Sequence, residues 1–357
     1  MVSAKKNILV AMSGGVDSSV AALLLKRAGH NVTGVFMQGW RAPGAKCSWE
    51  TDRQDAARVA AALDIPFRVL DVGEQYRTHV VEYLVSEYAK GRTPNPDVMC
   101  NTYIKFGVFY RWAMEHGADA IATGHYATIT TLDGITYLST SKDTAKDQTY
   151  FLWGLTPEIL AHVYFPIGEL IKDEVRNIAE AAGLVTARKP DSQGVCFVGE
   201  LDMKSFLQTY IPPREGAVVT TSGERVGTHD GAAYYTIGQR HGLGIGGGTP
   251  YFVVKKDMDT NTLVVAEVSE KEERETHAVS VEHMTWYKKM TATRAPTLSA
   301  RIRYRQALVE VTMDDTNINT LRLTSGVAKP SAGQSCVVYV RVSDTKHIVV
   351  GGGIIAE

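Results

Sequence analysis

The feature that most constrains this chain is a strand, a glycine turn and a helix written in succession at its beginning. Residues 7–12 form an apolar run of strand length, and Ser13-Gly14-Gly15-Val16-Asp17-Ser18-Ser19 follows it. Residues 18–28 then place Val20, Leu23, Leu24 and Ala28 at helical spacing, with Gly29 as a stop. The alternation continues. Residues 32–37, 67–72 and 118–123 read as buried strands, and residues 52–63, 76–90 and 103–115 as helices. Apolar strands separated by helices imply parallel strands joined by crossovers, hence an open doubly wound α/β sheet.

After about residue 205 the pattern changes. Ile211-Pro212-Pro213 breaks the chain, and short strands and many glycines follow. Residues 251–254 and 262–268 read as a β-hairpin, and residues 307–313, 320–324, 335–342 and 347–350 as strands of a small barrel. The expected division is a catalytic domain over 1–205, a central β-rich domain over 206–277 and a C-terminal β-barrel over 278–357. A length of 357 residues, 44% of them hydrophobic and 22% charged, suits such a multidomain globular chain. A formal net charge of −1 leaves nucleic-acid binding to local basic patches. No apolar run has the length of a membrane span and the first residues lack a signal-peptide pattern, so the chain reads as cytoplasmic.

The segment 13–19 has a mechanism in that context. Gly14 and Gly15 let the backbone approach a phosphate, and the helix N-terminus presents N–H groups and a favourable dipole to an anion. Ser13, Ser18 and Ser19 add hydroxyl donors, while Asp17 fits better as a magnesium partner. The string is neither a Walker A loop nor GxGxxG. It resembles the PP-loop ATP pyrophosphatases, which release pyrophosphate and leave AMP on the substrate. Ligands of such sheets sit outside the carboxyl ends of the strands, where Met37 and Gly124 with His125 would flank the adenosine.

Two further loops carry cysteines. In Thr93-Pro94-Asn95-Pro96-Asp97-Val98-Met99-Cys100-Asn101 two prolines stiffen the turn bearing Asn95 and Asp97, and Cys100 falls beside a helix N-terminus that would lower a thiol pKa. A stiff loop with a buried cysteine fits the string equally well. Asp191-Ser192-Gln193-Gly194-Val195-Cys196-Phe197 reads as a polar loop. Two loop cysteines on an ATP-activating domain suggest thiol chemistry on an adenylated substrate. Cys47 and Cys336 read as structural, and no cysteine spacing suits a zinc site.

SGGVDSS, GRTPNPDVMCN, TGHYA, KDQTYFL and DSQGVCF occur in this order, and together they are similar to the tRNA-specific 2-thiouridylases. Ala11 departs from the glycine usual there, and the segment around Asp143 and Thr144 also differs. The resemblance implies an ATP-dependent sulfurtransferase that replaces the 2-oxygen of the wobble uridine, position 34, with sulfur. It places Ala11, Met12, Ser13, Gly14, Gly15, Val16, Asp17, Ser18, Met37 and Gly124 at ATP, with Mg2+ on the phosphates. Asn95, Pro96 and Asp97 would hold the base, with Asp97 as acid/base group, and Lys146, Asp147 and Gln148 would contact tRNA. Cys196 would carry a persulfide and Cys100 would be the second thiol, the two able to form a transient disulfide. A protein sulfur donor, a cysteine desulfurase or relay protein, is implied as partner.

The strand pattern Arg301-Ile302-Arg303-Tyr304-Arg305 would set three guanidinium groups on one face, making Arg303 and Tyr304 candidate tRNA contacts. Two other readings stay open: a PP-loop ligase that needs no cysteine, and a non-catalytic tRNA-binding or sulfur-carrier protein.

Overall fold

The structure is a computed structural model that describes residues 4–41, 49–191, 203–245, 250–267, 275–287, 297–314, 317 and 319–356. Its N-terminal half is built on β1 (Asn7–Ala11), β2 (Asn31–Gln38), β3 (Phe67–Asp71), β4 (Ala120–Ala122) and β7 (Val163–Tyr164). These form one sheet in the order β3-β2-β1-β4-β7, every pairing parallel. Helices cover both faces, as the unbroken apolar strands require. Successive side chains of β1 divide between them. Ile8 and Val10 join the core with Val20 of the helix α1 (Val16–Arg27) and Val59 of α2 (Trp49–Ala62), whereas Leu9 and Ala11 pack with Phe106, Phe109 and Ala113. This is the expected doubly wound sheet.

Two helices begin earlier than their apolar spacing suggests. The one expected over 76–90 starts with Gly73–Tyr76, passes through π-type winding over Arg77–Val81 and ends as Glu82–Ala89. The one expected over 103–115 starts at Pro96, a residue suited to a first helical position because it lacks an N–H that would go unbonded there. It continues through π-type winding over Cys100–Phe109 into Tyr110–Glu115. Cys100 therefore lies one turn inside a helix, not on the loop before it.

A hairpin that the sequence reading omits, β5 (Thr128–Leu132) and β6 (Ile135–Ser139), turns through Asp133 and Gly134, both with positive φ. Asp-Gly between alternating apolar residues is a two-residue hairpin signal. This hairpin leaves its own domain. It adds to a sheet of C-terminal strands through Ser139 against Ile348.

The second sheet combines β8 (Gly216–Thr220) and β9 (Arg225–His229) with β10 (Tyr251–Asp257) and β11 (Thr262–Glu267), in the order β10-β11-β8-β9. The expected hairpin is β10–β11. The last sheet contains β12 (Glu275–Trp286), β13 (Leu298–Arg301), β14 (Val309–Met313), β15 (Thr320–Ala328), β16 (Ser335–Arg341) and β17 (His347–Ile355). Pairing of β12 with both β15 and β17 closes these six strands into a barrel. The strand expected through residue 305 stops at Arg301, and residues 302–305 form a turn with Arg305 at φ 63°. The three arginines consequently do not share a strand face. Among the described residues no helix is long and apolar enough to cross a membrane.

Candidate functional site

The glycine loop sits at the carboxyl end of β1. Gly15 is extended and caps α1, and Gly14 has φ 76°. A Cβ on Gly14 would lie 2.2 Å from the Asp52 carbonyl oxygen, so both conformation and space require glycine there. Ser18 Oγ accepts from the Ser13 amide at 3.2 Å and donates to the Gly15 carbonyl at 3.2 Å, which ties the loop to the first turn. Ser19 is fully buried, its hydroxyl donating to Gly15 and accepting from Thr186. The opening amides of α1 have no acceptor within the helix and face the sheet's carboxyl edge. Gly124 follows β4 and backs directly onto this turn: a Cβ there would stand 2.5 Å from the Ser18 nitrogen. Met12 is buried beneath Gly34, and Met37, at the end of β2, is partly buried.

Asp17, expected beside magnesium, has two protein partners here. Its carboxylate is occupied by Lys172, with Nζ at 2.7 and 2.9 Å from the two oxygens, and by the Tyr126 hydroxyl at 3.0 Å. Burial and the Asp17 charge push the Tyr126 phenol up. Lys172 also pairs with Asp191 at 2.8 Å, as do Lys146 at 2.8 Å and Arg176 at 3.0 Å. Partial burial alone would raise the Asp191 pKa, but its bonds from Lys146 and Lys172 prevail and bring it to about 2. Three cations thus gather beside a helix N-terminus, an arrangement suited to a polyphosphate. Sequence reasoning missed Lys172 and Arg176, which open and line a helix (Lys172–Ala181) some 155 residues from Asp17. Lys189 completes the basic rim, pairing with Asp52 and Asp55 at 2.7 Å each.

A second line of polar groups runs from Gly124 toward the proline loop. His125 is buried, and its pKa is pushed well down by burial and by the Lys105 ammonium. Lys105 Nζ stands 3.3 Å from Nε2. An ammonium can only donate, so Nε2 accepts and Nδ1 carries the proton it gives to Thr123 Oγ1 at 2.8 Å. Desolvation by the surrounding protein pushes the Asp97 carboxyl up, and the Lys105 ammonium opposes that rise. Asp97 is itself solvent-exposed, in the first turn of the helix that contains Cys100. Asn95 and Cys100 are buried, with Cys100 among Tyr76, Val80 and Ile104. Lys105, absent from the sequence reading, links the surroundings of the glycine loop to Asp97.

The segment 146–148 divides. Lys146 reaches Asp191, and Gln148 Oε1 accepts from the Tyr126 amide at 2.9 Å. Asp147, expected at the tRNA, is turned into the protein. It is 3% exposed, and its oxygens bind the Ser141 amide, the Thr149 hydroxyl and Arg301 Nη1. Arg301 lies over the Tyr339 ring at 5.4 Å, so this ion pair joins the parallel-sheet half to the barrel. Arg303 is exposed and donates to the Lys329 carbonyl, while Tyr304 packs on Phe151 with ring centroids 4.4 Å apart. Cys336 is buried in β16, its thiol pushed up to about 12 by burial. Cys196 and Cys47 lie outside the described residues.

A parallel sheet with a glycine turn and a helix N-terminus after its first strand, lysine and arginine around them and a closed barrel attached, has the form of a nucleotide-using α/β enzyme. Three family models match in succession: a tRNA methyl transferase HUP domain over residues 6–200, a tRNA methyl transferase PRC-barrel domain over 204–267 and an aminomethyltransferase beta-barrel domain over 276–355. The chain is 45% identical to the tRNA-specific 2-thiouridylase of Lacticaseibacillus paracasei over 93% of its own length and 90% of the relative's. It is 44% identical to a counterpart from Geobacillus kaustophilus over 99% and 96%. The chain belongs to the tRNA-specific 2-thiouridylase family.

Proposed function

We propose that this chain is a cytoplasmic, ATP-dependent tRNA sulfurtransferase that converts the wobble uridine to 2-thiouridine. The observation that carries the reading is the juxtaposition of two sites. The loop Ser13–Ser18 binds the triphosphate, with Lys172, Arg176 and Lys146 drawn to its charge, and Mg2+ would add neutralisation there. Gly124, His125 and Lys105 lead from that loop to Asp97, beside which the target base is held by Asn95 and Pro96. The uridine 2-oxygen is a poor leaving group, and adenylation by ATP would convert it to a good one.

In this reading the uridine 2-oxygen attacks the α-phosphorus and pyrophosphate departs. A sulfur carried as a persulfide on Cys196 bonds to carbon 2 and AMP leaves with the former oxygen. Cys100 either attacks the Cys196 sulfur, freeing the thiocarbonyl and leaving a Cys100–Cys196 disulfide, or first releases hydrosulfide that makes the attack. In both branches two equivalents of an external thiol, or one dithiol, reduce the disulfide and leave as their own disulfide, and a protein sulfur donor reloads Cys196. Lys105 near Asp97 suits a group that moves a proton at the base. Lys146 and Gln148 at the rim, and Arg303 on the barrel, are the proposed tRNA contacts. The division into domains 1–205, 206–277 and 278–357 is supported by the three successive family matches and the three sheets.

Purified protein with ATP, magnesium, a persulfide donor and uridine-34 tRNA should yield 2-thiouridine with stoichiometric AMP, read by nucleoside mass analysis. Cys100→Ser and Cys196→Ser should each abolish thiolation and leave ATP binding intact. AMP formation without 2-thiouridine, or full turnover by either serine variant, would overturn the reading.

A further inference from the structure

The proline loop enters its helix with little backbone to hold it. Pro94 and Pro96 have no N–H, so only Thr93 and Asn95 can donate between Arg92 and Asp97. Both backbone groups of Thr93 are taken by a single turn of the barrel. The Thr93 amide donates to the Ala332 carbonyl at 2.8 Å, and the Gln334 carboxamide donates to the Thr93 carbonyl at 2.7 Å while reaching the Pro94 carbonyl at 3.5 Å. Between them Gly333, at φ 90°, lies so near that a Cβ would be 3.1 Å from the Thr93 backbone. The turn is itself fixed: Ile355 donates to the Gln334 carbonyl at 2.7 Å, and Gly333 donates back to Ile355 at 2.9 Å. Arg92, one residue earlier, spans to Glu282 of β12 at 2.9 Å and to the Ile355 carbonyl at 3.2 Å. The central domain touches the same point, through Thr236 against the Thr93 hydroxyl at 3.4 Å and Ile237 against Ser331 at 3.4 Å.

We propose that the barrel turn 331–334 is a clamp that sets the Asn95–Asp97 loop for reaction, with Gln334 as a positioning residue acting through the Thr93 and Pro94 carbonyls. The loop is then held at its entrance by the barrel and at its exit by the helix that begins at Pro96. The barrel thereby contributes to the chemical step without touching the base. The inference rests on the proposed thiolation, and its consequence is a dependence of kcat on a residue outside the parallel-sheet domain.

The test uses the full-length chain with Gln334→Glu, which keeps the shape but opposes an acceptor to two carbonyls, and Gln334→Lys, which restores a donor of sufficient reach. Amide hydrogen exchange of peptides spanning residues 90–101 should rise about tenfold in Gln334→Glu, since one backbone anchor is lost. Its kcat should fall roughly 10- to 100-fold, the effect expected of an ångström-scale misplacement, with KM for tRNA and ATP within about twofold. Gln334→Lys should recover kcat to within about threefold of the parent. Unchanged exchange over 90–101, a raised KM for tRNA at constant kcat, or an inactive Gln334→Lys would each overturn the clamp. So would exchange that rises across the whole barrel with a lowered melting temperature, because Gln334 would then serve only barrel folding. An unmutated chain that forms no 2-thiouridine would refute the thiolation itself, while the exchange measurement would still decide whether Gln334 holds the loop.

Discussion

Replacing Gly14 by alanine should nearly silence the enzyme while leaving it folded. An alanine Cβ would stand 2.2 Å from the Asp52 carbonyl oxygen, where ordinary contact begins at 3.4 Å. The turn or α2 must therefore retreat by about 1 Å, a displacement that in other active sites lowers rate by about 100-fold, equivalent to about 2.7 kcal/mol of transition-state stabilisation. Retreat of α2 is resisted because Asp52 is tied to Lys189 at 2.7 Å. The left-handed conformation adds about 1 kcal/mol of strain for a residue with a Cβ. Gly29→Ala isolates that second contribution. Gly29 has φ 86° at the far end of α1, yet no atom lies within 4 Å of its would-be Cβ. ATP-dependent AMP formation and equilibrium ATP binding, measured on both variants, separate the effects. Gly14→Ala should lose about 100-fold in kcat/KM and Gly29→Ala less than about twofold, with a larger fall in melting temperature for Gly14→Ala, which adds the overlap to the strain that the two share. Equal losses in the two variants, or a Gly14→Ala enzyme of undiminished activity, would refute the reasoning.

Asp191 should stabilise the fold in a pH-dependent way. Its folded pKa of about 2 lies below the usual 3.8, so its contribution is complete above pH 3.8 and disappears as pH falls toward 2. Asp191→Asn should cost on the order of 1 kcal/mol at neutral pH once solvent screening is allowed for, and the difference should shrink as pH falls from 3.8 toward 2, by denaturant unfolding of the two proteins side by side. A difference that stays constant with pH would contradict the ion-pair assignment. Arg301→Ala strands the buried Asp147 carboxylate and should destabilise by about 3 kcal/mol, whereas the double change Arg301→Met with Asp147→Leu should recover most of it. Recovery will stop short of complete because the Ser141 amide and the Thr149 hydroxyl lose their acceptor as well, and a double variant no more stable than Arg301→Ala would refute the stranded-charge reasoning.

Most of what was legible in the sequence was local. The apolar runs around β1 and β2 and the glycine turn between β1 and α1 are encoded within a few residues of one another, and both the doubly wound sheet and the place of Gly14 followed from them. Asp-Gly at 133–134 was also a local signal, though it could not say that the hairpin would join a distant barrel. What stayed hidden depends on tertiary neighbours. Nothing near Lys172 announces Asp17, and Asp147 looks in the sequence like any polar residue of a lysine-rich loop until Arg301 and Tyr339 close over it. Alternation of arginines over 301–305 promised one strand face, but the chain turns after Arg301, which no period of two can reveal.

The pairing of Ser139 with Ile348 has a bearing on how the chain must be made. Thr140 and its partner His347 are 207 residues apart. During synthesis the hairpin β5–β6 leaves the ribosome long before the strand that covers its edge, and an uncovered edge is a template for pairing with other chains. The parallel-sheet domain is thus born incomplete. Truncation at residue 205 should give a fragment prone to association even though its own sheet is intact, and the last nine-residue strand, β17, is the piece that finishes both the barrel and the domain made first.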